Sequence, residues 1–478
     1  MKILSNVFVC TSGNNLELAD ISFDDKIKSV RKITELTWDD ISTNEKKQRF
    51  ISEIESKKHL QRKDTIYGNY LLAMPGAIDP HVHFDTPGFE FREDIEHASI
   101  AAAFGGVTTI IDMPCTSIPP VTNLENFNTK LQAIRNRSLI DFAFWGGIGG
   151  NCFFDYKKNI FELREAGIAG FKVYTISGMK EFSDLTYDQI KSVAINLAEY
   201  GKPMAVHAED KFIVTSIMNE RIKLGKNSWQ DYTESRNTKA EVFAIKKLIQ
   251  IAEETKVKML IVHLSSGESI KLIQQAISNG VDISAETCPH YLYFTSDDFN
   301  KTEIRNYLKS APPVKDKSDK NQLWKALSEN QMAFVSTDHA GCNPDNEKIS
   351  ENFWEVYGGI PGVEHRVPFL FSEGFLKKKI TLEQTINLLS TNAAEYFNLG
   401  MKGKLSAGKD ADITLIDLWN YQIVDSKKMH SKGKYTPFEK VKFNVVVDKT
   451  FLRGELIMDL KNNFVGKIGT GKYIKSEK

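Results

Sequence analysis

This sequence carries no excess charge of either sign: Lys plus Arg and Asp plus Glu each number 62, so the formal net charge is zero. A balanced chain offers no basic field to gather nucleic acid or an anionic membrane surface, and neither partner is expected. Basic runs such as Ser426-Lys427-Lys428 read as solvated surface. No apolar run reaches the length of a bilayer span. Residues 1–30 lack the basic start, apolar stretch and small-residue cleavage site of a secretory signal. Cysteine is scarce, with five in 478 residues and no pair at zinc-ribbon spacing. A disulfide framework is therefore not expected, and a cytoplasmic chain with reduced thiols is.

What is present is an ordinary globular composition, 41% apolar and 26% charged, in a chain long enough for one large domain and a smaller satellite. Residues 1–72 open with β-like runs, Lys2–Cys10 and Leu16–Phe23. A charged stretch from Thr37 to Lys63 follows and reads as a surface insertion with helical periodicity at Phe50-Ile51-Ile54. Over 73–399, short apolar runs alternate with amphipathic stretches. The expected strands are Ala77–Val82, Val107–Asp112, Ile140–Trp145, Ala169–Tyr174, Pro203–Val206, Lys258–Val262, Val281–Ala285 and Ala333–Ser336, with helices such as Thr186–Tyr200 and Lys239–Glu254 between them. Eight strands alternating with helices predict an α/β fold, a (β/α)₈ TIM-like barrel; an open doubly wound sheet is the alternative. Residues 400–478 return to β-like sequence at Gly408–Leu415, Val441–Val447 and Lys449–Leu456. These are expected to join the first strands in a small β-sandwich domain formed by both chain termini.

The barrel reading brings polar residues to one rim. The first strand ends in His81-Val82-His83, the fourth carries Lys172, the fifth leads to His207, the sixth to His263 and the eighth to Asp338. The C-terminal strand ends of such barrels face one side, where their active sites lie. Imidazole and carboxylate are ligands for zinc and similar divalent ions, and residues i and i+2 of a strand point the same way, so His81 and His83 can share one ion. Lys172 is the odd member. Desolvated among positive charge, it loses its proton readily, and a neutral amine can take up carbon dioxide as a carbamate able to bridge two metals. A single His is more often surface or core than ligand, and His59, His97 and His430 are placed there. Lys172 alone could snorkel and Asp338 alone could cap a helix; their ordered recurrence favours a metal site.

At this point the chain resembles the cyclic amidohydrolases, the group of dihydroorotases, allantoinases, hydantoinases and dihydropyrimidinases. The resemblance rests on Pro75-Gly76-Ala77-Ile78-Asp79-Pro80-His81-Val82-His83, Gly170-Phe171-Lys172, Val206-His207-Ala208-Glu209, Val262-His263-Leu264-Ser265-Ser266, Glu286-Thr287-Cys288-Pro289-His290-Tyr291 and Ser336-Thr337-Asp338-His339, and runs from about Met74 to Leu415. It implies two divalent ions, zinc first, with iron, cobalt, manganese or nickel as alternatives. His81, His83, Lys172 and Asp338 would surround one, and Lys172, His207 and His263 the other, with a carboxylated Lys172 between them. Asp338 would be the catalytic base, taking a proton from the attacking water and passing it to the leaving ring nitrogen. The partners implied are a small cyclic ureide or amide and further copies of the chain in a dimer or tetramer.

Within the group the loops are most similar to allantoinases, at Met113-Pro114, Ser117-Ile118-Pro119-Pro120, Ser177-Gly178, Glu181-Phe182, Tyr232–Val242 and Tyr357-Gly358-Gly359-Ile360. Dihydroorotases usually carry Arg two residues after the second His, where this chain has Asp85, which would repel a substrate carboxylate. Hydantoinases usually have a Tyr and an Asn-Gly where Ser177 and Gly358-Gly359 stand here. Ring opening of allantoin to allantoate is the expectation, with dihydroorotase and hydantoinase or dihydropyrimidinase activity as alternatives. Asp85, Ser177, Ser310 and Asn151 are candidate substrate contacts. His339 is a further candidate and could equally make a supporting hydrogen bond. A scaffold of this fold would lack the ligands, and all six positions are filled; a metal-binding protein without turnover is separable only by assay.

Overall fold

The first strands are covered on both faces, Leu4, Val7 and Val9 packing on one core and Phe8, Leu16 and Leu18 on another. In a computed structural model describing residues 1–56 and 65–477, the chain opens with β1 (Lys2–Ser12), β2 (Asn15–Phe23) and β3 (Ile27–Thr37), paired antiparallel in sequence order. The expected insertion is two helices, Trp38–Ile41 and Asn44–Glu55, as far as the described residues go; the part of it beyond residue 56, with His59 and Lys63, lies outside them. It is not simply a surface excursion. Phe50, Ile51 and Ile54 pack on the main core, and the Lys47 ammonium lies 3.7 Å above the Trp419 ring. β4 (Thr65–Tyr67) and β5 (Leu72–Pro75) then return parallel to β1.

The next strands are β6 (Ala77–His83), β7 (Val107–Asp112), β8 (Asp141–Phe144), β9 (Gly146–Gly147), β10 (Phe171–Tyr174), β11 (Met204–His207), β12 (Met259–Ile261), β13 (Ile283–Thr287), β14 (Phe334–Val335) and β15 (His339–Ala340). β6, β7 and β8 pair in parallel, as do β9 to β14, while β8 and β9 are one strand interrupted at Trp145. β15 pairs with β6 through His339–Val82 and closes the circle as a (β/α)₈ barrel. Such strands are covered on both faces, which is why Val107–Asp112 is buried at every position. Ile78, Ile111, Ala143, Trp145, Ala169, Ala205 and Leu260 form the inner cluster, and Trp145 Nε1 donates across it to the Pro80 carbonyl at 2.8 Å. The alternate residues of the same strands pack outward on helices such as Tyr187–Ala198 and Thr238–Thr255, whose first turns are capped by Thr186 and Asn237.

Beyond residue 400 come β16 (Ile413–Asp417), β17 (Gln422–Ile423), β18 (Lys442–Phe443), β19 (Val446–Leu452), β20 (Glu455–Asp459) and β21 (Phe464–Val465). β16 pairs antiparallel with β5, so one nine-stranded sheet holds strands from both ends of the chain and forms the β-sandwich domain. The expected break between Val441–Val447 and Lys449–Leu456 falls elsewhere. β19 runs through Asp448 and turns at Arg453-Gly454, where both residues have positive φ and a Cβ on Gly454 would lie 1.7 Å from the Asp24 carbonyl. The two domains are joined by Lys402, whose buried ammonium lies 2.6 Å from Asp141, 3.0 Å from Asp410 and 2.7 Å from Asp412. That carboxylate trio has its cation supplied by the chain itself. No helix among the described residues is long and apolar enough to cross a membrane.

Candidate metal centre and active site

Strand alternation puts His81 and His83 on the inner side of β6, opposite Val82, beyond a register irregularity that follows Asp79. Asp79 accepts the Thr337 hydroxyl at 2.6 Å and its N–H at 3.3 Å, and so fixes the residue before Asp338. Asp338 and His263 follow their strands with φ of +50° and +40°, a left-handed backbone that costs of order 1–3 kcal/mol in residues with a Cβ. At both places this strained backbone sits where a side chain has turned over the barrel mouth.

Two donor groups result. His81 Nε2 and His83 Nε2 lie 3.1 and 3.2 Å from Asp338 Oδ1. His207 Nδ1 lies 3.1 Å from His263 Nε2. Ligands about 2.0–2.1 Å from one zinc stand about 3 Å apart, so both groups have the spacing of atoms sharing an ion. The groups adjoin, with the His81 and His263 rings 5.5 Å apart. Each imidazole chain is anchored behind: His81 Nδ1 on Glu286, and His207 Nε2 on Glu209 at 2.9 Å. Lys172 stands beside Ala205 in the β10–β11 ladder, fully buried, its Nζ 4.8 Å from the Tyr174 ring and without a hydrogen-bond partner among the described residues. Burial lowers its pKa to about 8, which puts a reactive neutral amine within reach near neutral pH. Burial alone would raise the Asp338 pKa, but His81, His83 and His263 more than offset it and hold the group ionised. The residues present therefore fit a divalent ion at His81, His83 and Asp338, with the paired imidazoles of His207 and His263 adjoining it.

His81, His83, His207, His263 and Asp338 line a cavity of about 660 Å³. Ser177 and Ser310 line it, as expected, but their hydroxyls donate to the Phe182 and Pro312 carbonyls at 2.6 and 2.8 Å. Asn151 is exposed and holds the Lys180 and Glu181 carbonyls instead of facing the cavity. Asp85 and His339 are not among the residues that line the cavity. Asp85 has φ +56° and is buried, and desolvation pushes its pKa well up. His339 turns away as strand alternation dictates; its Nδ1 accepts the Val363 N–H at 3.2 Å and its Nε2 lies 3.4 Å from Glu93.

Several wall residues carried no assigned role in the sequence, apart from Arg92, a basic residue that could hold a substrate carboxylate if dihydroorotate were the substrate. Arg236 binds Glu209, and Arg92 lies 2.6 Å from Glu347 while stacking 4.3 Å from the Tyr357 ring. The Lys309 ammonium donates to the Phe353, Trp354 and Val356 carbonyls at 2.6, 3.2 and 2.5 Å. Cys115 lies 3.1 Å from the Tyr174 hydroxyl. Glu209 lies just past the end of β11, in the segment Val206-His207-Ala208-Glu209 that the sequence already marked; the others have no local signal.

Against known proteins, the amidohydrolase family matches residues 72–457. Allantoinase of Rubrobacter xylanophilus is 34% identical over 402 residues, 83% of this chain and 86% of that one. Allantoinase of Deinococcus radiodurans is 32% identical over 410 residues, covering 85% and 89%. Among solved structures, the L-hydantoinase (dihydropyrimidinase) of Arthrobacter aurescens superposes with a TM-score of 0.88 at 27% identity over 99% of each chain. The dihydropyrimidinase of Brevibacillus agri gives 0.87 at 26% identity, over 99% of this chain and 98% of that one.

Proposed function

We propose, from the premise that this chain belongs to the amidohydrolase family, that it hydrolyses a cyclic ureide ring and that its substrate is allantoin, opened to allantoate. The observation that carries the substrate is the charge balance of the cavity wall. Both arginines that line it are already paired to carboxylates, Arg92 with Glu347 and Arg236 with Glu209, and Lys309 is engaged by three carbonyls. Apart from Lys180, which lines the cavity but is solvent-exposed, a neutral ring meets donors there without an uncompensated cation, whereas a buried substrate carboxylate would be desolvated without a paired counter-ion. The argument against an anionic substrate thus passes from Asp85 to this wall. A Cβ on Gly358 would meet nothing within 4 Å, so that stretch leaves room for a ureido tail.

In this reading His81, His83 and Asp338 would hold one ion and His207 and His263 the other, and Lys172, whose neutral amine can add carbon dioxide and release a proton, would supply a carbamate ligand to both. Zinc is the proposed metal, with iron, cobalt, manganese or nickel as alternatives. When bound, such ions supply Lewis acidity to the ring carbonyl and lower the pKa of water. Asp338 takes the proton of the attacking water and delivers it to the ring nitrogen as the C–N bond breaks. Glu286 and Glu209 hold the His81 and His207 rings in one orientation throughout. We also place the chain in the cytosol, consistent with five free cysteines, as a dimer or tetramer, whose mass light scattering would give.

The test is kcat/KM for allantoin, hydantoin, dihydrouracil and dihydroorotate on one metal-loaded preparation. Allantoin should lead and dihydroorotate trail. Dihydroorotate as best substrate would overturn the charge argument, and no turnover of any ring would return a metal-binding protein. An apolar rim of Phe89, Met179, Met218, Ile222 and Trp354 favours hydantoinase activity as the second reading, since it suits a ring substituent.

A further inference from the structure

We infer that the turn from Arg236 to Glu241 is a positioning device for His207 and His263, acting on one of the two ion sites and not on the other. The inference rests on the metal reading above and adds to it residues that hold neither ion in that reading. Asn237 caps the helix Thr238–Thr255 by accepting the Ala240 N–H at 3.1 Å, which fixes where the side chains on either side of it begin.

Arg236 reaches the end of β11. Its guanidinium binds Glu209 Oε2, the same oxygen that faces His207 Nε2 at 2.9 Å. Glu209 is only 1% exposed, so the carboxylate depends on protein donors. A proton held on Nε2 by Glu209 leaves Nδ1 of His207 as a lone pair, and Nδ1 is the atom 3.1 Å from His263 Nε2. Arg236 therefore sets the tautomer and ring angle of His207 through Glu209.

Glu241 reaches the end of β12. Its Oε2 accepts the Ser265 N–H at 3.2 Å and hydroxyl at 2.5 Å. Its Oε1 accepts the Ser266 N–H at 3.1 Å and the Ser266 and Ser269 hydroxyls at 2.7 Å each. Ser265 is two residues beyond His263, whose positive φ needs an outside force to hold it. The clamp on Ser265 and Ser266 supplies that force. One short segment thus governs both histidines of one site, whereas His81 is governed by Glu286 on a different strand.

The experiment is a cobalt(II) titration followed by visible absorption, with bound metal counted by elemental analysis and the thermal midpoint of metal-stripped protein measured in parallel. Wild type should bind two equivalents. Arg236→Met, Glu209→Gln and Glu241→Gln should keep one tight equivalent and bind the second about 10–100-fold more weakly. Arg236→Lys, which retains a cationic donor to Glu209, should recover part of the loss. Glu286→Gln should spare that equivalent and alter the spectrum of the other. A merely structural role would lower the thermal midpoint and weaken both equivalents alike, and that result overturns the inference. So do two tight equivalents in Arg236→Met, which also covers the case in which Glu241→Gln does not fold. Fewer than two equivalents in wild type overturns the metal reading itself, and the inference with it.

Discussion

Glu347→Gln is the sharpest test of the cavity's charge balance. Arg92 Nε and Nη2 lie 2.8 and 2.6 Å from Glu347 Oε1, and Arg92 lines the cavity while Glu347 does not. Replacing the carboxylate by an isosteric amide leaves the guanidinium in place and its charge uncompensated. For a ligand carboxylate about 6 Å away at an effective dielectric of about 20, the freed attraction is about 3 kcal/mol. The Arg92 and Glu347 side chains are 24% and 19% exposed, so solvent and salt reduce this to about 1–2 kcal/mol. The expected outcome is a rise of about 5–30-fold in the specificity for dihydroorotate relative to allantoin, with neutral rings little affected. The assay is initial rates for both substrates on matched metal-loaded preparations, with competitive inhibition by dihydroorotate where its turnover is below detection. The gain should shrink as ionic strength rises. An unchanged ratio in a folded, metal-loaded variant would falsify the claim that Glu347 is what keeps this wall neutral.

Three other outcomes are expected. Asp338→Asn should retain most of its metal, because the amide oxygen can still coordinate, yet lose about 10²–10⁴-fold in kcat; near-normal turnover would remove Asp338 as the base. Lys172→Ala should be inactive and regain activity with added short-chain carboxylic acids, and failure of every such acid in metal-replete protein would count against the bridging carbamate. Lys309→Met strands three wall carbonyls and should cost about 1–3 kcal/mol in urea unfolding. Desolvation lowers the Lys309 pKa to about 7 from 10.5, so between those values the unfolded chain binds the extra proton and this group's contribution to stability rises with pH. The wild-type curve should therefore climb more steeply than the variant's over pH 7–10, and parallel curves would refute the shift.

The barrel was legible because its strands are buried on both faces and so read as short apolar runs; Val107–Asp112 was read to the residue. β15 was not legible. It is two residues long and follows a left-handed Asp338, a conformation that no local pattern announces. The stripe Phe50-Ile51-Ile54 revealed a helix but not that the core would receive it. The six histidine, lysine and aspartate positions that meet at the barrel mouth were legible because strand ends are countable in a sequence. Arg236 and Glu347 were not, since a charged residue in a loop reads as surface until its partner is known. Asp85 was singled out by its place two residues after the second His, and nothing in that spacing announces its left-handed backbone; His339 makes the supporting hydrogen bond that was its other reading.

The shared sheet bears on how the chain is made. β5 ends at Pro75, and its neighbour β16 begins at Ile413, so more than three hundred residues must leave the ribosome before that edge is covered. At about 5–20 residues per second the wait is tens of seconds. Through that time the apolar run Leu72–Pro75, covered by β1 on one side only, stands ready to pair with any other nascent chain. The barrel's first strand follows β5 directly, so a captured edge also withholds His81 and His83 from the rim. Yield in a cell should accordingly depend on translation speed and on chaperones that shield a strand edge, more than on the stability of the finished protein.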